Sequence, residues 1–348
     1  MSIARRLRIA VDAMGGDLGP EEIVRGVIAA ARMHLDSMQL IIVGDAKVIN
    51  AEIERTRNVP SNIEVRHASQ IIEMTDKPRE VFRKKPDASV VVSAKLVKEG
   101  DADAFISIGN TGAAMAAAVL ILRTIPGVDR PAIAITVPSL GEPTLLLDAG
   151  ANVDCVPHQL LEFGIMGQVY ARRVLGVEKP VVGLLSNGSE PSKGNDLTKQ
   201  SHILLKTHLS DFYGNIEGMD IFRGIVQVVV CDGFDGNVAL KVAEGAAEIV
   251  RTLVKRELTR GKWKKLLLFP LGNSIRKLLD SLDYREFGGA PLLGVNGICI
   301  IGHGRSDAKA IVNAVRVADT SVRNDLVKEI ERAMLIAKNK QPDTAKEA

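Results

Sequence analysis

Short apolar segments, each followed by a polar loop that contains glycine, recur along this 348-residue chain and constrain its fold more than any other feature. The segments have the length and the Val, Ile and Leu content of buried strands, and helical patterns follow most of the loops. Strands that alternate with helices predict a mostly parallel open sheet with helices on both faces, a three-layer αβα fold. Residues 132–137 and 144–147 are predicted to be adjacent strands. The strands that precede the most polar loops end at Val11, Ile108, Leu147, Leu185, Cys231 and Ile301.

The composition agrees with this α/β prediction and excludes several other classes of protein. Hydrophobic residues make up 46% of the chain but aromatic residues only 3%, which argues against an all-β protein. A formal charge of +3 with so few aromatic residues argues against a nucleic-acid-binding protein. The cysteines Cys155, Cys231 and Cys299 are widely spaced, so they predict neither a disulfide framework nor a zinc site.

The sequence contains no evident targeting or membrane-spanning segment. Its basic start, Met-Ser-Ile-Ala-Arg-Arg, is not followed by the apolar core of a signal peptide, and no apolar run reaches about 18 residues. We therefore expect a cytoplasmic protein. Residues 1–340 are predicted to form one two-lobed α/β catalytic domain, and residues 341–348 a polar tail.

The loop from Ser186 to Asp196 is the most informative of the polar loops. It contains Gly188 and Gly194, which permit unusual backbone dihedral angles, and it ends in residues suited to the N-cap of a helix. Backbone amides in such a loop can converge on an anion, and Lys193 adds a full positive charge. The loop therefore predicts a site for a phosphate or a carboxylate. The alternative is an ordinary connection that carries a surface lysine.

The other strand ends carry similar polar loops. Residues 109–112 lead into a run of alanines that permits close approach to a helix start, which Thr111 is suited to cap. Because the carboxyl ends of strands gather along one edge of an open α/β sheet, we expect these loops to form a single site. None of them fits GxGxxG, and residues 188–193 lack two required positions of a Walker A loop, which disfavours a nucleotide. Inorganic phosphate or a small acyl-phosphate remains as the predicted ligand.

Several residues in these loops have both a functional and a structural interpretation. Cys231 could be a covalent nucleophile, but no histidine lies near it in sequence, and a buried structural role is favoured. His303, between two glycines, is equally suited to ligand contact and to a structural role. Asp232 and Asp235 could hold a metal ion, but helix capping by one of them is favoured.

Four blocks of the sequence carry specific motifs: Ala-Val-Asp-Ala-Met-Gly-Gly-Asp (10–17), Ile-Gly-Asn-Thr-Gly-Ala (108–113), Leu-Leu-Ser-Asn-Gly-Ser-Glu-Pro-Ser-Lys-Gly (184–194) and Cys-Asp-Gly-Phe-Asp-Gly-Asn (231–237). With these blocks the chain resembles, over nearly its whole length, the bacterial phosphate acyltransferases of phospholipid synthesis. The resemblance implies transfer of a long acyl chain from acyl carrier protein to inorganic phosphate, giving acyl-phosphate. It also implies a homodimer with an isopropylmalate-dehydrogenase-like fold. No cofactor or metal is expected.

The resemblance and the loop chemistry together suggest roles for individual residues. Lys193 and Asn237 match positions that the family is proposed to use in catalysis. We expect Lys193 to bind phosphate and Asn237 to donate a hydrogen bond to the thioester oxygen as its negative charge develops. Asp232 is the third predicted catalytic residue. The predicted phosphate-binding residues are Asp12, Gly15, Gly16, Asn110, Thr111, Gly112, Asn187, Gly188, Ser189 and His303.

The segment from residue 251 to residue 285 differs from the rest of the chain. Seven basic residues lie between Arg251 and Lys265, followed by an apolar run. A basic stem with an apolar tip predicts a protruding amphipathic helical hairpin that contacts an anionic membrane surface. A hairpin buried in a dimer interface is an equally supported alternative. The predicted membrane-contact residues are Trp263, Leu266, Leu267, Leu268 and Phe269.

Two functions from other classes remain open from the sequence. An isopropylmalate-dehydrogenase-like oxidoreductase would need a dinucleotide and a metal-bound hydroxy acid. A non-catalytic membrane-associated scaffold would need only the basic stem and a dimer surface. Release of free carrier thiol from an acyl carrier thioester in the presence of phosphate would distinguish the acyltransferase from both.

Overall fold

A computed structural model of the chain describes residues 5–73, 76, 82–259 and 289–339. The strands in these ranges are β1 (Leu7–Asp12), β2 (Met38–Gly44), β3 (Ile63–His67), β4 (Ala104–Ile108), β5 (Ala132–Val137), β6 (Thr144–Leu147), β7 (Val182–Leu185), β8 (Phe212–Ile216), β9 (Val228–Val230), β10 (Ala290–Leu293) and β11 (Ile298–Gly302). The α-helices are α1 (Pro20–Met33), α2 (Ala46–Glu54), α3 (Ser89–Glu99), α4 (Thr111–Ala117), α5 (Pro157–Arg173), α6 (Asp196–His208), α7 (Gly233–Thr259), α8 (Ala308–Arg323) and α9 (Leu326–Asn339). A π-helical turn (Ala118–Leu122) continues α4, and a short 3₁₀ helix (Gly218–Phe222) precedes β9.

Helices cover both faces of the sheet because successive residues of a strand point to opposite faces. Ile9 and Ile106 lie in one buried cluster, whereas their neighbours Ala10 and Phe105 lie in another. The first cluster packs beneath α1, α5, α8 and α9. The opposite face packs beneath α3, α4 and the first part of α7. The predicted three-layer αβα class is therefore confirmed.

The described strands form one 11-stranded sheet with the order β3-β2-β1-β4-β11-β10-β5-β6-β9-β7-β8. One parallel group consists of β3, β2, β1, β4 and β11. A second parallel group consists of β6, β9, β7 and β8. The sheet is thus mostly parallel, as predicted. Its interior strands are mostly apolar because helices cover both of their faces.

Two strands between these parallel groups reverse the strand direction. β10 is antiparallel to both of its neighbours, β11 and β5, and β5 is also antiparallel to β6. Three successive reversals leave the second group running opposite to the first. The carboxyl ends of the two groups therefore lie at opposite edges of the sheet, which decides how the polar loops are distributed.

α7 leads from the sheet into the predicted helical hairpin. It spans 27 residues and ends at Thr259. Residues 260–288, which include the predicted membrane-contact residues, lie outside the described residues, as does the predicted tail. Within the described ranges, none of the helices is both long and apolar enough to span a membrane.

Candidate active site

The loops that were predicted to form one site are divided between two edges of the sheet. The loops after β1, β4 and β11 lie at the first edge, and the loops after β6, β7 and β9 lie at the second edge. The expectation of a single carboxyl edge is wrong, because β10 and β5 reverse the direction between the two groups. The predicted site residues at the first edge are Asp12, Gly15, Gly16, Asn110, Thr111, Gly112 and His303. Those at the second edge are Asn187, Gly188, Ser189, Lys193, Asp232 and Asn237.

Asp12 is the central polar residue of the first edge. Its side chain is buried, and it accepts hydrogen bonds from the Ser107 hydroxyl at 2.9 Å and from the backbone N–H of Met14 at 3.1 Å. Burial raises the pKa of the Asp12 carboxyl, and hydrogen bonds from Ser89, Met14 and Ser107 oppose this rise. The cavity beside Asp12 has a volume of about 10 Å³, enough for roughly one water molecule.

The first-edge loops pack closely against one another. A β-carbon at Gly15 would collide with the carbonyl oxygen of Ile108, and one at Gly109 would collide with Gly15. Glycine is therefore required here for close backbone approach, whether or not a ligand binds. His303 is exposed, and its Nδ1 accepts a hydrogen bond from the backbone N–H of Arg305 at 3.2 Å.

Asn110, rather than Thr111, caps helix α4. The Asn110 Oδ1 accepts a hydrogen bond from the backbone N–H of Ala113 at 3.0 Å, and its Nδ2 donates to the carbonyl oxygen of Glu73 at 3.2 Å. Thr111 is the first residue of the helix and is exposed. The expectation that Thr111 caps the helix is therefore wrong: Asn110, one residue earlier, also carries a side-chain oxygen and occupies the N-cap position.

At the second edge, the loop after β7 presents Lys193 to solvent. The Lys193 backbone N–H donates to the carbonyl oxygen of Glu190 at 3.0 Å, which closes a turn. The aliphatic stem of Lys193 lies over Gly188, where an added β-carbon would be 2.8 Å from the Lys193 Cγ. Asn195 caps α6, as predicted, by accepting from the backbone N–H of Thr198 at 2.9 Å. Across the described part of the chain, no carboxylate forms an ion pair with the Lys193 ammonium group.

The loop after β9 carries Asp232 and Asn237 into helix α7. The Asp232 Oδ1 accepts from the backbone N–H of Asp235 at 2.8 Å, so Asp232 is the predicted capping residue. Burial raises the pKa of Asp235, and the charge of Asp232 adds to the rise. Asn237 is exposed in the first turns of α7, and its side chain packs against Gly150 from the loop after β6.

Asp148 organises this packing and was not selected from the sequence. Its side chain is fully buried, and its Oδ1 accepts from the backbone N–H groups of Ile133, Gly150 and Ala151 at 2.9 to 3.2 Å. Its Oδ2 accepts from the backbone N–H and the side-chain amide of Asn152 at 2.7 and 2.9 Å. Burial raises the pKa of Asp148, and the hydrogen bonds oppose the rise. The signal in the sequence was an acidic residue that directly follows a buried strand and precedes Ala-Gly-Ala-Asn.

Two glycines at the start of α7 lie directly against Asp148. A β-carbon at Gly236 would collide with the Asp148 carbonyl oxygen, and one at Gly233 would be 2.8 Å from its Oδ2. The start of α7 therefore packs directly against the buried Asp148 residue. This contact links Asp148 to the position of Asn237.

Cys231 is buried beside the same carboxylate. Its Sγ donates to the carbonyl oxygen of Asp148 at 3.4 Å. Burial raises the pKa of the Cys231 thiol well above its usual value, and the neighbouring carboxylates raise it further. A thiol held in its neutral form is a poor nucleophile, which favours the structural interpretation. In the described ranges, no group of three or more His, Cys, Asp or Glu side chains is arranged to hold a metal ion.

Comparison with known proteins identifies close relatives over most of the chain. A family model described as fatty acid synthesis protein matches residues 7–329, a range that contains every predicted catalytic and phosphate-binding residue. The phosphate acyltransferase of Pelotomaculum thermopropionicum is 47% identical over 94% of this chain and 95% of its own length. The phosphate acyltransferase of Geobacter sulfurreducens is 44% identical over 98% of this chain and 99% of its own length.

Solved structures with the same architecture are more distant in sequence. A phosphotransacetylase from Streptococcus pyogenes superposes with a TM-score of 0.61 at 16% identity, covering 92% of this chain and 95% of that one. The EutD phosphotransacetylase from Staphylococcus aureus superposes with a TM-score of 0.58 at 17% identity, covering 91% and 94%. At such low identity the similarity establishes a shared fold alone.

Proposed function

Because the chain belongs to the family of phosphate acyltransferases, we propose that it transfers a long-chain acyl group from acyl carrier protein to inorganic phosphate. The protein is an acyltransferase with phosphate as its acceptor. The carrier protein as donor, and the use of the acyl-phosphate in membrane phospholipid synthesis, are the proposed parts of this function. We also propose that the enzyme acts in the cytoplasm.

In the proposed reaction a phosphate oxygen attacks the carbonyl carbon of the thioester. A carbon–oxygen bond forms, the carbon–sulfur bond breaks, and the carrier leaves as a thiolate that takes a proton from water. Phosphate is already an anion at neutral pH, and a thiol with a pKa of about 8.5 is a good leaving group. Neither a strong base nor a covalent residue is required. Positioning of the reactants and stabilisation of the developing charge are sufficient.

The observation that best supports this function is the adjacency of β7 and β9. The two strands are parallel neighbours, with Leu184 paired to Val230. Their carboxyl ends therefore emerge side by side at the second edge. The loop that carries Lys193 and the helix start that carries Asn237 therefore begin at neighbouring strand ends, which supports the use of a cation and a neutral amide donor in one reaction.

Each second-edge residue has a role in this proposal. Lys193 and the backbone amides of residues 187–189 hold the phosphate. The Asn237 amide donates to the thioester oxygen as negative charge develops there, and a single such donor is worth about 3 kcal/mol in the transition state. Asp232 caps α7 and thereby fixes the orientation of Asn237.

The first-edge residues are not part of this phosphate site in the proposal. Asp12, Asn110 and His303 lie at the opposite edge of the sheet. Phosphate binding by the first-edge residues remains a prediction that would require a separate site.

We also propose a homodimer and a peripheral contact with anionic membrane. Helix α7 exposes an apolar stripe on one face, and an exposed stripe of this kind is typical of a helix that packs against a partner. Phe234, Val238, Val242, Ile249 and Leu253 form this stripe, each between 42% and 67% exposed.

The basic and apolar composition of residues 251–269 supports the membrane contact, with lysines and arginines near the lipid headgroups and Trp263 at the interface.

A comparison of acyl donors tests the proposed donor. The same long acyl chain is supplied as a thioester of acyl carrier protein or of coenzyme A, and thiol release is followed with and without phosphate. We expect kcat/KM to be at least about tenfold higher for the carrier thioester, because a protein donor adds contacts that coenzyme A cannot make. Equal values for the two donors would contradict the carrier protein as the specific donor, while phosphate-dependent release with either donor would leave the acyltransferase assignment in place.

A further inference from the structure

The loop that carries Lys193 rests on a buried side chain that the proposed reaction does not use, Asn215 of β8. The register between β7 and β8 shifts, so that Tyr213 is an extra residue in β8 without a partner in β7. A bulge of this kind re-aims the side chains that follow it. Gly214 has a φ of 122°, a conformation that residues with a β-carbon rarely adopt. The bulge leaves Asn215 buried, with 3% of its surface exposed, directly beneath the loop after β7.

Asn215 contacts the loop through the carbonyl oxygen of Glu190. The Asn215 Nδ2 donates to this oxygen at 2.9 Å, and the Lys193 backbone N–H donates to the same oxygen at 3.0 Å. The carbonyl group therefore joins the closing hydrogen bond of the turn to a side chain in the sheet. Through this shared acceptor, the backbone position of Lys193 is tied to β8.

A buried histidine fixes the orientation of Asn215. The His202 Nδ1, on α6, lies 2.9 Å from the Asn215 Oδ1, and His202 is only 8% exposed. Because the Asn215 Nδ2 faces a carbonyl oxygen, its Oδ1 faces His202, so the His202 Nδ1 must carry a hydrogen. The imidazole ring also packs edge-on against Phe212, with ring centroids 5.2 Å apart at 75°. Both partners are thus held in one arrangement.

We propose that Asn215 and His202 are positioning residues that hold the Glu190–Lys193 turn in its phosphate-binding geometry. This proposal rests on the proposed role of Lys193 in phosphate binding. Neither residue touches the reactants. They act through the Glu190 carbonyl oxygen, so their loss should weaken phosphate binding more than it slows the chemical step.

Asn215→Asp is the sharpest perturbation of this arrangement. Aspartate has nearly the same shape and keeps an acceptor for His202, but it cannot donate to the Glu190 carbonyl oxygen. We expect the dissociation constant for phosphate to rise roughly fivefold, the effect of one lost hydrogen bond, with a smaller change in kcat. Equilibrium dialysis with radiolabelled inorganic phosphate measures the binding without any acyl donor. Unchanged phosphate affinity would overturn the proposal.

Asn62→Asp provides a matched control. Asn62 is also a buried asparagine, and its Nδ2 donates to the carbonyl oxygens of Ala31, His34 and Met38 at 3.0 to 3.3 Å, beside the first group of strands. Thermal unfolding should show a loss of stability in this variant, while its phosphate affinity stays that of the wild type. An equal loss of phosphate affinity in both variants would show that general destabilisation is the cause, and the proposal would fall.

A double-mutant cycle separates this proposal from the proposed function. In a Lys193→Ala background, Asn215→Asp should weaken phosphate binding little further, because its effect passes through the lysine turn. An undiminished effect in that background would overturn the positioning role. Normal phosphate affinity in Lys193→Ala alone would instead overturn the proposed phosphate site.

A second variant decides the question if Asn215→Asp does not fold. His202→Phe keeps the ring packing against Phe212 and removes the hydrogen donated to Asn215. Asn215 then loses the contact that orients it, and we expect the dissociation constant for phosphate to rise by about twofold or more. A folded His202→Phe protein with wild-type phosphate affinity would contradict the proposal.

Discussion

Replacement of Asp148 with asparagine should destabilise the second edge by an amount that can be worked out from its hydrogen bonds. The Asp148 Oδ1 accepts three backbone hydrogen bonds, and the Oδ2 accepts two from Asn152. In the variant one of these oxygens becomes an NH₂ group that faces other donors. The amide orientation that loses fewer hydrogen bonds keeps an oxygen at the Oδ1 position and removes the two hydrogen bonds from Asn152.

The magnitude follows from those two lost hydrogen bonds. Hydrogen bonds to a charged group contribute about 1.5 to 3 kcal/mol each, so the loss is about 3 to 6 kcal/mol. A neutral amide is easier to bury than a carboxylate, which offsets part of it. We therefore expect the free energy of unfolding to fall by about 3 kcal/mol, within the 5 to 15 kcal/mol typical of folded domains.

Urea unfolding and steady-state kinetics together test this reasoning. Because Gly150 and the start of α7 lie against Asp148, we expect kcat in Asp148→Asn to fall roughly tenfold while the KM for phosphate changes little. Asp12→Asn is the comparison variant, since the serine hydroxyls around Asp12 can turn to accept from the new amide, and its loss of stability should stay below about 1 kcal/mol. A loss in Asp148→Asn no larger than in Asp12→Asn would refute the account of Asp148.

The remaining predictions concern the reacting groups and one buried carboxyl. Lys193→Ala should raise the KM for phosphate and lower kcat without loss of stability by thermal unfolding, because the lysine is exposed. Asn237→Ala should lower kcat by roughly 10²-fold with little change in phosphate affinity, and a change in affinity alone would contradict its role. Cys231→Ser should remain active, and acylated protein trapped at Cys231 would show otherwise. Burial raises the pKa of Asp12 above its ordinary 3.8, so the folded state holds this proton more tightly than the unfolded chain. The wild type should therefore lose stability, relative to Asp12→Asn, as the pH rises from about 3.8 through that raised pKa. Measurements of the free energy of unfolding of both proteins between about pH 4 and about pH 7 would show this loss.

The strands that were predictable from the sequence are those with continuous Val, Ile and Leu content. β6, with the sequence Thr-Leu-Leu-Leu, is an example, and its limits at residues 144 and 147 agree with the predicted ones. β8 was not predicted, because its sequence Phe-Tyr-Gly-Asn-Ile contains the glycine and asparagine of a bulge. β10 was not predicted either, because it is short and contains Pro291, which is unfavourable inside a strand.

The distribution of the site residues was less predictable than the fold. The adjacency of β5 and β6 could be inferred from the short loop between them. Whether the polar loops lie at one edge of the sheet or at two depends on β10, which comes from a distant part of the chain. The roles of Asp148 and Asn215 also depend on long-range contacts. Asn215 lies in an unpredicted strand, and the direction of its side chain is set by a bulge that no local sequence pattern reveals.

Single-turnover acyl transfer by the wild-type protein tests the central claim, direct attack of phosphate on the thioester. The protein is mixed in excess with a long-chain acyl thioester of acyl carrier protein, and thiol, acyl-phosphate and acylated protein are quantified with and without phosphate. With phosphate, we expect thiol and acyl-phosphate to appear together in equal amounts. Without phosphate, we expect neither thiol nor acylated protein. A burst of thiol accompanied by acylated protein in the absence of phosphate would contradict direct transfer.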